Sequence, residues 1–395
     1  MSDNEMLVPQ PRLGKKGMIM LITMCNLMAP LSTDMYMPAL PEMKEHFHTS
    51  DGTMNLSLSA FFFVFAVGML FFGSVSDRNG RKTMLILGIL MYITGCVGCS
   101  VSMSILFLIL MRMIQALGAG CMVSVSTAIV RDQFTGPAQA SVLSVAQIFS
   151  VVGPVLSPVI GAFVYQTTGW RMVFIAQGTV TLLILVTAVL MKETLPKEDR
   201  LAVGILQTLS RQRLILKNRR FSFFLFGIIF LNAPCMAYIG TSSYIYQNYF
   251  GLSVNWYTAI FAATALLSSL GPVMYALIRP TRPFLFSNIL FGITVATGLV
   301  MLLTGRSNPF VFAALVCIQM IVTVASRPFA TARLLNMQEK DAGAASSLIN
   351  FFFTMMGTLG MYLITGIWSD YILGIAIMMM TAGVAGGLIL NRAAR

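Results

Sequence analysis

The chain has 395 residues, of which 57% are hydrophobic and only 10% charged. A soluble domain carries about a quarter charged residues, so this composition excludes a soluble globular protein and implies a polytopic membrane protein in contact with lipid. The formal net charge of +12 would suggest nucleic acid in a soluble chain; here it reads as Lys and Arg gathered on one side of a bilayer, and no nucleic-acid partner is expected.

Residues 1–17 are polar and are expected to be cytoplasmic. Apolar stretches long enough to span at 1.5 Å per residue follow at about 18–40, 56–76, 83–103, 105–130, 138–163 and 170–191. The first has no small-residue cleavage site and is expected to be a retained helix. A long polar break at 192–220 comes next, and its part from Ile205 to Arg220 is expected to form an interfacial amphipathic helix. Six more stretches lie at about 221–247, 256–278, 284–304, 310–333, 343–366 and 371–391, before a short tail, 392–395. Lys and Arg concentrate near the N-terminus, at 78–82, at 131, in the central loop, around 279–282 and 333–340, and in the tail. That bias places both termini inside. The expected fold class is therefore an all-α membrane protein. Twelve transmembrane helices form two six-helix bundles, 18–191 and 221–391, joined by a basic cytoplasmic loop. Transporters built from repeats have this layout, with a site near the midplane.

Some polar residues interrupt the spans. LMAPLSTDMYMPALP, 27–41, carries Asp34, the one acid expected inside the membrane. A charge there costs roughly 2.5–3.5 kcal/mol on insertion scales, so Asp34 must line a cavity and either hold a proton or lie near a cation. In GSVSDRNGRK, 73–82, Gly73 permits close helix contact and Gly80 a tight turn. Asp77 is expected to meet a helix N-terminus or a basic partner such as Arg131, while Arg78, Arg81 and Lys82 hold the inner head groups. LILMRMIQALGAG, 108–120, places Arg112 and Gln115 on one helix face at a height similar to Asp34. VVGPVLSPVIG, 151–161, carries Gly153, Pro154 and Pro158, which suit a kinked, closely packed, gating helix. The seventh span offers Asn232, Pro234, Cys235, Met236 and Tyr238 for an adaptable apolar pocket wall, and the eleventh offers Asn350 and Phe353. Arg327 reads as either a second cavity cation or an inner anchor. The six cysteines are scattered through apolar segments, and His46 and His48 fall in an outer loop, so neither a disulfide set nor a metal site is expected. No G-x-x-x-x-G-K-[ST] loop is present, which disfavours a self-contained ATP-driven pump.

The 73–82 pattern between spans two and three resembles the loop signature of the major facilitator superfamily, and the resemblance extends over essentially the whole chain. Arg112 and Gln115 resemble that superfamily's R-x-x-Q-G motif, with Ala116 for its first glycine. The 151–161 stretch resembles the fifth-helix motif of proton antiporters, but Ser157-Pro158 replaces a usual glycine pair and Ser144 an upstream glycine. STDMYMPALP, GPVLSPVIG, GWRMVF and AYIGTSSYIYQNYFGLS together look like the bicyclomycin/chloramphenicol resistance group of drug:proton antiporters. That likeness implies a bacterial inner-membrane exporter of small organic substrates, driven by protons through alternating access, monomeric and without a cofactor. It implies coupling through Asp34 and Arg112. It also implies a cavity that includes Cys235, Met236 and Ile239, with Asn26 where some relatives carry a second acid. An exporter of a native metabolite (amino acid, polyamine or siderophore) is the rival reading, and a membrane sensor or scaffold a more distant one. An enzyme is not expected, because the spans lack a His–acid pair and their Ser and Cys lack an evident base.

Overall fold

In hydrocarbon every backbone amide needs a partner inside the protein, and a helix supplies one within its own segment. The protein, described by a computed structural model over residues 6–200, 212–278, 280, 282–338 and 342–394, follows that rule. Among the described residues, eleven helical stretches are long and apolar enough to cross a membrane. The fifth expected span is also helical, as α6, Gly136–Thr168. The other helices are α1 Gly14–Asp34, α2 Leu40–His46, α3 Asp51–Asn79, α4 Arg81–Ser100, α5 Ile105–Gln133 and α7 Trp170–Leu190. After the central loop come α8 Arg219–Ile229, α9 Asn232–Ser243, α10 Val254–Ser268 and α11 Leu270–Ile278. The last four are α12 Pro283–Thr304, α13 Pro309–Leu335, α14 Ala342–Ile367 and α15 Tyr371–Ala394. Much of the interfacial helix expected over 205–220 lies outside the described residues, as do Arg279 and Lys340; residues 212–217 are helical.

Three expected spans are broken, each for one reason. A proline at position i has no N–H for the carbonyl at i−4. α1 stops at Asp34, four residues before Pro38. α8 gives way at Phe230, four before Pro234. α10 stops at Ser268, four before Pro272. By contrast, α6 stays helical through Pro154 and Pro158.

The helices cluster into two compact units, Met1–Ala39 with Ala60–Thr208, and Leu40–Ser59 with Leu209–Arg395. In the first, α4 packs on α5 and α7, and α1 on α5, α6 and α7. The approach of α6 to α1 is very close: the backbone carbonyl of Met35 occupies the place a Cβ would take at Gly161, and Pro30 Cγ would lie 2.7 Å from a Cβ at Gly153. In the second unit, α12 packs on α15, α9 on α14 and α11 on α13. An apolar core there includes Phe224, Phe291, Phe329 and Phe353. The stretch 40–59, which the sequence groups with the first six spans, clusters with this second unit. Its ties are polar. Asn55 donates to the Met361 carbonyl at 2.8 Å, and Asp51 accepts from the Tyr371 hydroxyl at 2.7 Å and pairs with Lys44 at 2.7 Å. Elsewhere, helices expose apolar side chains such as Leu183, Val186 and Leu303, as expected of surfaces that meet lipid tails.

Candidate functional site

The first unit encloses a buried polar lattice around the end of α1. Arg112 of α5 is fully buried. Its Nη1 donates to the Ser32 carbonyl at 2.7 Å and to Gln115 Oε1 at 2.6 Å. Gln115 Nε2 donates onward to Gln177 Oε1 of α7 at 2.8 Å and to the Cys96 sulfur at 3.2 Å. Gln177 Nε2 then donates to the Leu31 carbonyl at 3.0 Å. Two successive carbonyls of α1 are thus held from neighbouring helices, in the last turn before Asp34. Carbonyls at a helix C-terminus lack partners of their own, which makes this turn a natural place for outside donors. Ser32 Oγ lies 2.5 Å from the Met28 carbonyl and 2.6 Å from the Tyr92 hydroxyl. The serine proton serves the carbonyl, so Tyr92 donates to the serine.

Arg112 is also sandwiched between rings, with Cζ 4.5 Å from the Tyr36 centroid and 4.3 Å from that of Phe61. Cation–π contacts of this kind stabilise a desolvated guanidinium. Its Nε and Nη2 are buried with no hydrogen-bond partner among the described residues. Asp34 is 7% exposed, and its Oδ1 accepts from the Thr33 hydroxyl at 2.9 Å. No ion pair links Asp34 to Arg112 among the described residues. The expected proximity therefore takes a different form: the arginine holds the backbone two residues before the acid, because the Ser32 carbonyl and two aromatic faces occupy it. Asn26, earlier on α1, donates to the Ile22 carbonyl at 2.8 Å and to Ser126 Oγ at 3.1 Å.

The 73–82 turn departs from expectation at two points: the partner of Asp77 differs, and Arg81, expected to hold the inner head groups, is buried because protein carboxylates take its guanidinium. Gly80 has φ +94°, a conformation that L side chains rarely adopt. Gly73 faces Ser124 closely. Asp77 pairs with Arg81 at 2.6 Å, and Arg81 Nε pairs with Asp132 at 2.7 Å. The partner at the end of α5 is thus Asp132, bonded to Arg81, rather than Arg131 bonded to Asp77; Arg131 is exposed, as is Arg78. Arg81 wins because its guanidinium spans both carboxylates while also donating to Ser76 Oγ at 2.6 Å. Glu193, beyond α7, accepts from the Arg81 and Lys82 amides at 2.9 and 3.3 Å, so a carboxylate caps the N-terminus of α4.

In the second unit, Asn232 is buried and donates to the Phe353 carbonyl at 2.6 Å, which ties α9 to α14. Cys235 is buried, Met236 and Ile239 are half-buried and Asn350 is exposed. Tyr238 is enclosed in an aromatic core with Phe261 at 6.1 Å and Phe312 at 6.0 Å, so it braces the wall rather than presenting to an open face. All six cysteines are free and buried. Among the described residues, no cluster of His, Cys, Asp and Glu is suited to a metal.

Sequence reasoning missed Gln177, Ser32, Tyr92, Glu193 and Asp132. Gln177 carried a usable signal: a lone amide within an apolar span needs a buried partner. The others gave none, because a serine, a tyrosine or a helix-end acid is ordinary in isolation.

A family model described as the Major Facilitator Superfamily matches residues 22–361. The chain is 26% identical over 380 residues to the "Uncharacterized MFS-type transporter YdgK" of Bacillus subtilis (strain 168), covering 93% of both proteins. It is 30% identical over 281 residues to the "Multidrug resistance protein MdtL" of Escherichia fergusonii, covering 68% of this chain and 70% of that one. Its fold is similar to that of the peptide transporter POT in complex with sulfate, with TM-score 0.76, 13% identity, and coverage of 100% and 99%. The chain is a multi-pass membrane protein and a secondary transporter of small molecules, and it belongs to the Major Facilitator Superfamily.

Proposed function

We propose that this protein is a proton-coupled exporter of small organic molecules in a bacterial inner membrane, with twelve transmembrane helices in two bundles and both termini cytoplasmic. Asp34 is the coupling acid. Its proton and the substrate compete, and one leaves as the other binds while access alternates across the membrane. No cofactor takes part beyond the proton gradient. The observation that carries this reading is Asp34 itself. It is a buried carboxyl without an ion-pair partner among the described residues, two positions from a carbonyl clamped by a buried arginine. An acid in that setting is not held in its charged form, whereas an acid locked in a salt bridge is. The relative named for multidrug resistance supports the export of drug-like molecules.

The test uses purified protein in proteoliposomes with an imposed pH gradient and a panel of antibiotics and dyes. The wild type is expected to move at least one compound uphill and to release protons on binding it. Asp34→Asn is expected to keep its melting behaviour yet lose both uphill movement and proton release. Uphill transport by Asp34→Asn at the wild-type rate would refute the assignment.

A further inference from the structure

Arg327 of α13 has no role in the coupling scheme above. It lies eight residues before the end of its helix at Leu335, about 12 Å of rise. Its side chain is nonetheless exposed. Val311 and Ile318 form the exposed apolar stripe of the outer part of α13. Arg327 is nine residues after Ile318, and at about 100° per residue it points to the opposite side of the helix. It therefore opens on the face turned away from that stripe, which is the face of Met320 and Thr323.

Its surroundings are apolar and aromatic. The guanidinium carbon lies 5.5 Å from the Phe353 ring centroid, and the Cys235 thiol is within electrostatic range. Asn350, three residues before Phe353 on α14, is exposed. No described acid pairs with Arg327. In this unit Asp51 is bound to Lys44 and Tyr371, and Asp370 to Arg306 at 2.5 Å. Glu42 and Glu45 both lie in the short α2. An uncompensated cation backed by a ring repels cationic ligands and attracts an anionic group that can take up its free N–H donors.

We propose that Arg327 and Asn350 form a recognition site for the carboxylate of a small organic acid, whose apolar body lies against Met236, with the buried Phe353 ring backing the guanidinium. Arg327 gives the carboxylate a planar two-donor fork, Asn350 adds an amide, and the Met236 thioether takes the apolar part. This proposal deepens the export reading by assigning the charge of the preferred substrate.

Three fluorescent probes that share one apolar body separate charge from bulk: N-dansylglycine (anionic), dansyl amide (neutral) and dansylcadaverine (cationic). Titration of detergent-purified protein is expected to give N-dansylglycine an affinity about tenfold higher than dansyl amide, in keeping with a charge-assisted hydrogen bond, with dansylcadaverine weakest. Arg327→Gln should lower N-dansylglycine to the level of dansyl amide and leave dansyl amide unchanged, and Arg327→Lys should retain part of the preference. Equal affinities in the wild type, no saturable N-dansylglycine binding, or an undiminished preference in Arg327→Gln would each overturn the site. The wild-type comparison decides the matter even if the variant fails to fold. Lack of anion preference beside intact Asp34-dependent proton release removes only this inference. Anion preference without proton-linked transport removes the export reading and leaves the site standing.

Discussion

At the scale of single residues, the stability of the first unit rests on a few polar groups that have no substitute partners. Gln177 both donates to the Leu31 carbonyl and accepts from Gln115. Gln177→Leu would strand both groups in a dry interior, at about 1–3 kcal/mol for each. Detergent-purified Gln177→Leu is expected to melt several degrees below the wild type. Cys96→Ser, which keeps an acceptor for Gln115, should melt close to it. Identical melting of Gln177→Leu and wild type would remove the lattice from any account of stability. Arg112 and Gln115 were legible as a pair from their spacing alone. Their distribution of bonds was not, since a carbonyl can serve a guanidinium as well as a carboxylate can.

At the scale of helices, the spans were legible because a run of apolar residues has one stable solution in lipid. The breaks were legible in principle too, since Pro38 and Pro272 each stand four residues after a helix end and Pro234 four after the C-cap, Phe230. Pro154 and Pro158 interrupt nothing, and one sequence does not separate the two cases. The closest helix contact offers a test. At Gly161 the obstacle to a side chain is the backbone of Met35, which cannot rotate away. At Gly292 of α12 nothing lies within 4 Å. Gly161→Val is expected to cost about 1–3 kcal/mol or more through overpacking and to reduce folded yield sharply, with Gly292→Val near the wild type. Equal yields, measured by size-exclusion profile after extraction, would mean that α6 can move off α1 freely.

At the scale of the whole molecule, the proposed orientation follows from the Lys and Arg bias and predicts which loops face which compartment. The six native cysteines are buried, so a membrane-impermeant maleimide has no ready target in the wild type. His48 and Lys197 are both exposed. In intact spheroplasts, His48→Cys is expected to label and Lys197→Cys to stay unlabelled until the membrane is opened. The reverse pattern would invert the topology and reassign the inner and outer ends of every helix. The turn at Gly80, with Arg81 held by Asp77 and Asp132 and with Glu193 capping α4, would then face the outside.

Composition and apolar run length alone determined that this is a helical membrane protein, how many spans to expect and where its rare charges lie. They could do so because lipid admits few backbone solutions and penalises each charge separately. Tertiary structure decided the partners. Arg112 is held by a backbone carbonyl and two rings instead of by Asp34, Arg81 takes Asp132, and Arg327 has a ring and, among the described residues, no acid. A charged side chain accepts whichever compensating group the packing of neighbouring helices brings within about 3 Å, and one sequence does not record that distance.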